Sequence, residues 1–277
     1  MNIFISDLDG TLLHPDGLLT TQTRQTVIQL LEADVPFTVA SGRSVVSIQS
    51  VIGDLPLKLP IIAFNGGFIS DLATGEHIQV IDIATGIASR LYHRCLDAGM
   101  IPIVSTTSPQ GDRVYVREPI ANHGILMYVQ GQQSFGDPRL RLTDDPRRGL
   151  DETVTCLTII DRRARLVPLV DSIERDFGAH IHPHFFDDIY TTGWAWYTIH
   201  PAGARKSNAI RTVIEMTGNN DRRWVSFGDQ LNDIDMIRDA DHGVAVQNAV
   251  PEIKAVADEI IGPNHEDSVA EYLRRSL

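Results

Sequence analysis

Two aspartates at the end of one short apolar run constrain this chain more than any other feature. Ile3-Phe4-Ile5 are β-branched or aromatic and read as a buried strand, which runs through Ser6 into Asp7-Leu8-Asp9-Gly10-Thr11. Alternate residues of a strand point the same way, so Asp7 and Asp9 are expected to face one site. Gly10 then lets the chain leave the strand in a conformation that other residues resist. Two buried carboxylates are costly unless a cation or hydrogen-bond donors compensate them. The plain alternative is a polar Asp-Gly turn.

Three further segments supply matching chemistry. Arg222-Arg223-Trp224-Val225-Ser226-Phe227-Gly228-Asp229 reads as a second strand ending in an acid, followed by Asn232 and Asp233. Val35-Pro36-Phe37-Thr38-Val39-Ala40 reads as a strand that delivers the Ser41 hydroxyl and then Gly42. Lys206 stands at the start of an expected helix through Ile210 and Val213 to Met216. In open α/β sheets ligands bind where loops leave the carboxyl ends of the strands. An acid cluster, a hydroxyl and a cation are therefore expected in one pocket.

The four segments in this order resemble the haloacid dehalogenase superfamily of phosphotransferases, and within it the Cof-like phosphatases. The superfamily's motifs match Asp7-x-Asp9-Gly10-Thr11, Ser41, Lys206 and Gly228-Asp229-x-x-Asn232-Asp233. Phe64-Asn65-Gly66-Gly67 and Asp241–Ala249 resemble further elements of the Cof-like pattern. The resemblance implies an α/β fold: a Rossmann-like parallel-sheet core with an inserted α+β cap. It also implies a magnesium-dependent phosphatase acting on small phosphorylated metabolites, sugar phosphates first and pyridoxal phosphate or flavin mononucleotide behind. Asp7 would attack phosphorus and form an aspartyl-phosphate, and Asp9 would act as acid and then base. Ser41, the Gly42 amide, Lys206 and Asn232 would bind the phosphoryl group. Asp7, Asp229 and the backbone carbonyl of Asp9 would hold the ion. Asp233 is read as support for Lys206.

Positions 42 to 205 are far more than one βα unit needs. Residues 61–64 continue the sheet, and 68–71 with 77–81 read as a hairpin across Ala73-Thr74-Gly75-Glu76. From about Ala84 the pattern becomes an independent unit: helices over 87–98 and 166–177, strands near 101–104, 114–116, 153–160, 180–185 and 194–199. The expected division is a core of 1–83 and 192–277 and a cap of 84–191, the cap setting substrate specificity.

Composition excludes several other classes. The chain has 277 residues, 43% of them hydrophobic, as in globular proteins with a real core. No 18-residue apolar span occurs and Met1-Asn2-Ile3 enters a strand directly, so a cytoplasmic protein without membrane contact is expected, monomeric or weakly dimeric. With 36 acidic against 24 basic residues, nucleic acid is not the expected partner. Arg147-Arg148, Arg162-Arg163-Arg165 and Arg222-Arg223 are short runs that read as solvated surface. Cys95 and Cys156 lack metal-ligand spacing and read as buried thiols. His182-Pro183-His184 reads as a polar strand face, since no third ligand follows at useful spacing.

Two other functions share these residues. A sugar phosphomutase of the phosphomannomutase type has the same core and a similar cap, and would be activated by a sugar bisphosphate. A non-catalytic sensor on this fold would ordinarily lack the nucleophile or the acid, yet Asp7 and Asp9 are both present.

Overall fold

Ile3, Phe4 and Ile5 are all buried, which requires cover on both faces of their strand. The computed structural model, which describes residues 1–188 and 192–277, provides it with a parallel sheet. In that sheet Asn2–Ser6 lies between Arg223–Gly228 and Phe37–Val39. His242–Val246 and Glu259–Ile261 continue it beyond Arg223–Gly228, giving five strands, all parallel. Helices Thr21–Glu32, Lys206–Met216 and Ser268–Arg274 contribute buried apolar residues to the same core. A single bridge, Ala40 to Ile62, links this sheet to Ile61–Ala63. That strand opens an antiparallel three-stranded sheet with Phe68–Ser70 and His77–Val80, the hairpin expected from the sequence.

The described residues form two compact units, Met1–Val80 with Ala204–Leu277, and Ile81–Gly203. The second is built on six strands in the spatial order Ile181–Asp187, Trp194–Pro201, Thr153–Arg162, Ile103–Thr107, Arg113–Arg117, Leu140–Thr143. All neighbours are antiparallel except the last pair. Ile159 and Ile160 fall in different apolar clusters, as alternation along a strand requires. Ile159 packs with buried residues of helices Thr85–Asp97 and Arg163–Phe177; Ile160 packs with Val129 of helix His123–Ser134.

The expected division differs from the observed units. Position 191, where the inserted unit was expected to end, lies outside the described residues. Residues 81–83 and 192–203, assigned from sequence to the core, group instead with the second unit: Ile83 N–H donates to Val154 O at 2.8 Å, and Trp194–Pro201 is hydrogen-bonded between Thr153–Arg162 and Ile181–Asp187. Helix His123–Ser134 and strand Leu140–Thr143 were not anticipated.

Candidate active site

The strand ends at Ser6, and Asp7 follows in extended conformation, its N–H donating to Phe227 O at 2.9 Å. Asp7 is 5% exposed. Asp229 and Asp233 follow the parallel neighbour strand and are also buried. One carboxylate oxygen from each of Asp7, Asp229 and Asp233 can be chosen so that all three lie within 4.8 Å of one another. Lys206, at the first turn of its helix, donates from Nζ to Asp7 Oδ1 and Asp233 Oδ1, both at 2.6 Å. Asp233 Oδ2 accepts the backbone N–H groups of Asp229 and Gln230 at 3.0 Å each. A Cβ on Gly228 would stand 2.7 Å from Asp233 Cβ, so the close return of Asp233 onto the strand end needs glycine there.

With all three carboxylates ionised, one ammonium leaves two negative charges uncompensated in a buried site. Burial pushes Asp7 well above the usual carboxylate range; Lys206 pulls it back, while Asp233 and Asp229 push further. Asp229 is pushed up to about 6 by burial and then by Asp233, against hydrogen bonds from Thr11 (3.0 Å) and Gln230 (3.2 Å). Burial alone would lower the Lys206 ammonium, but Asp233 and Asp7 outweigh it and hold it above its ordinary value. The donor set is all oxygen and its charge deficit matches a divalent cation, which suits a hard ion. Among the described residues this is the one group of three acids, histidines or cysteines placed to hold a metal.

Asp9 is elsewhere. Residues 8–12 form one wide turn with Asp9 at φ −72°, ψ 125° and Gly10 at φ +75°, so Asp7 and Asp9 do not alternate on a strand. The Asp9 carboxylate is 55% exposed and is held by both Nε (2.7 Å) and Nη2 (2.6 Å) of Arg43. It adds no carboxylate to the acid cluster, and Asp233 stands there instead. Gly10 is needed twice over, for its positive φ and because a Cβ would lie 2.4 Å from Asp229 Oδ2.

Ser41 is buried, its N–H donating to Ile62 O at 2.9 Å and its Oγ accepting the Arg43 N–H at 3.2 Å. A Cβ on Gly42 would meet Asn65 Oδ1 at 3.2 Å. Asn232 Nδ2 donates to the same Asn65 oxygen at 2.9 Å, so Asn65 connects the Ser41 loop to the Asn232 turn. Sequence reasoning gave no role to Thr11, Arg43 or Asn65. The position of Arg43, two residues after Ser41, was the available signal for the second. Arg205, next to Lys206, pairs with Asp235 at 2.6 Å. Cys95 and Cys156 are buried thiols, each pushed up to about 12 by burial. His182 and His184 share a strand face with ring centroids 4.7 Å apart, and His200 lies 5.5 Å from His184.

The model of the haloacid dehalogenase-like hydrolases matches residues 4–273. The chain belongs to this family. Its fold is the α/β fold of the family's hydrolases, with a separate, mainly antiparallel sheet in the inserted unit. It is 24% identical to an HMP-PP phosphatase of Serratia proteamaculans, over 98% of this chain and 93% of that protein. It is 25% identical to the pyridoxal phosphate phosphatase YbhA of Escherichia coli, over 98% and 97%. A haloacid dehalogenase-like hydrolase from Bacteroides thetaiotaomicron superposes with a TM-score of 0.78 at 23% identity, covering 100% of this chain and 99% of that one. Among the described residues no helix is long and apolar enough to cross a membrane.

Proposed function

We propose that this hydrolase is a magnesium-dependent phosphatase that cleaves small phosphate monoesters through an aspartyl-phosphate on Asp7. The buried Asp7–Lys206–Asp233 contact is the observation that supports it most. An anionic substrate resists attack because its charge repels nucleophiles, so catalysis is positioning plus charge neutralisation. Lys206 engages Asp7 Oδ1 and leaves Oδ2 as the attacking atom. The Asp7 oxygen bonds to phosphorus as the ester oxygen departs, and Asp9 gives that oxygen its proton. In the second half a water attacks phosphorus, Asp9 takes its proton, and the Asp7–phosphorus linkage breaks, releasing inorganic phosphate.

Arg43 occupies both oxygens of Asp9, so Asp9 has to leave that clamp to reach the ester oxygen. Lys206 has three N–H donors and uses two on Asp7 and Asp233, which leaves one for a phosphoryl oxygen. The Ser41 hydroxyl, the Gly42 amide and Asn232 complete the phosphoryl contacts. Asp7, Asp229 and the Asp9 backbone carbonyl would hold the magnesium ion. When bound, it neutralises charge on the phosphoryl oxygens.

Sugar phosphates lead as substrates, with pyridoxal phosphate second, the latter favoured by the pyridoxal phosphate phosphatase among the relatives. The inserted unit, Ile81–Gly203, would supply contacts to the leaving group and so set specificity. We place the enzyme in the cytoplasm as a monomer or weak dimer. Screening phosphorylated metabolites for released phosphate tests the assignment, with Asp7→Asn as control. Turnover dependent on Asp7 supports it, and no released phosphate from any monoester in the presence of magnesium overturns it.

A further inference from the structure

The run Arg162-Arg163-Arg165 reads from sequence as solvated surface, and all three side chains are exposed, two of them at the mouth of a cavity. In the inserted unit a cavity of about 530 Å³ opens where the end of strand Thr153–Arg162 meets the start of helix His123–Ser134. Its volume is that of a pocket for a small organic ligand. Met100, Ile120, Ile160 and Trp194 give it an apolar lining, and Arg117, Arg162 and Arg165 bring three guanidinium groups to it.

Those three cations are unequally committed. Arg165 is paired with the buried Asp161 at 2.7 Å. Arg162 lies over the Trp194 ring, 4.7 Å from its centroid, with a long contact of 3.4 Å to Thr192 O. Among the described residues neither Arg117 nor Arg162 has a carboxylate within ion-pair distance. Two guanidinium groups without counter-ions therefore meet at one cavity whose other lining is largely apolar. Helix His123–Ser134 adds the positive end of its backbone dipole at the same place.

We propose that this cavity binds an amphipathic organic anion: an acidic group held by Arg117 and Arg162, carried on an apolar body seated against Ile120, Ile160 and Trp194. Guanidinium groups bind planar and tetrahedral oxyanions through paired N–H donors, so a carboxylate, sulfonate or phosphate would serve. The apolar lining excludes a bare inorganic ion as the preferred occupant, because such an ion leaves that surface uncovered.

The probe is 1-anilinonaphthalene-8-sulfonate, titrated into the full chain with its fluorescence as readout. Saturable binding is expected. Arg117→Gln and Arg162→Gln should each weaken it about tenfold, the loss expected for one charge-assisted contact. Sodium chloride should weaken binding to the wild type more than to the double variant. Ala121 is exposed and lines the cavity, so Ala121→Trp should fill the space and abolish binding without disturbing the fold, checked by circular dichroism. Unchanged affinity in the double arginine variant, or in Ala121→Trp, would place the dye elsewhere and overturn the proposal. Equal competition by inorganic sulfate would also overturn it, since the apolar body would then contribute nothing.

Discussion

Lys206 Nζ stands 2.6 Å from Asp7 Oδ1, and neither side chain has appreciable exposure. Asp233 Oδ1 is equally near, so a single ammonium compensates two carboxylates directly and a third, Asp229, through space. Removing one partner of a buried ion pair leaves the others unpaired. Lys206→Met keeps length and removes the charge. It should lower metal-free stability by about 3–5 kcal/mol in urea denaturation, and turnover by at least about a hundredfold. A variant as stable and as active as the wild type would contradict the electrostatic account.

The Arg43–Asp9 contact makes a different kind of prediction. Asp9 is more than half exposed, so the pair should add under about 1 kcal/mol to stability. Arg43→Ala should therefore leave the melting temperature almost unchanged, while kcat rises by up to about fivefold, the rate equivalent of under about 1 kcal/mol, because Asp9 no longer has to leave the clamp to reach the ester oxygen. Equal activity with and without Arg43 would show that the clamp has no part in catalysis.

Metal removal tests the charge deficit of the acid cluster. Activity should disappear in excess chelator and return with magnesium, whereas calcium should inhibit, since its looser and higher coordination misplaces Asp7. Full turnover in chelator would rule out the cation assignment.

Much of this was legible in the sequence, for a physical reason. Asp7, Asp229 and Lys206 stand at ends of elements whose apolar residues are buried in the core, so locating the elements located the side chains. Asp9 was misplaced because its position depends on the turn at 8–12, where Gly10 takes a positive φ and breaks the alternation. The return point of the chain was misjudged because Trp194–Pro201 looks like any half-buried strand until its partners are known. Helix His123–Ser134 buries only Gly124 and Val129 and exposes Met127, so it carries little of the periodicity that marks a helix. Leu140–Thr143 is a four-residue edge strand with no fully buried residue.

His200 gives a pH prediction independent of the acid cluster. Burial, and then the neighbouring His182, pull its imidazole from 6.5 down to about 3. Its folded value lies below its unfolded value, so the stability that goes with neutral His200 is complete above pH 6.5 and is lost as pH falls towards 3. Between pH 7 and 5 the loss should be about 2 kcal/mol. The change in stability between the two values, read by urea denaturation, should be less favourable in the wild type than in His200→Gln by that amount, since the acid cluster contributes equally to both. Identical pH dependence in the two proteins would mean that His200 is not the responsible group.

The central claim is a covalent bond between phosphorus and Asp7, and acid-quenched turnover reads it directly. Enzyme mixed with its best phosphomonoester substrate, quenched in acid and digested, should yield the peptide containing Asp7 with the added mass of one phosphoryl group. Asp7→Asn should yield none, with turnover reduced at least about a thousandfold and the fold retained. A phosphoryl group on another residue, or an Asp7→Asn variant within about tenfold of wild-type turnover, would contradict the account.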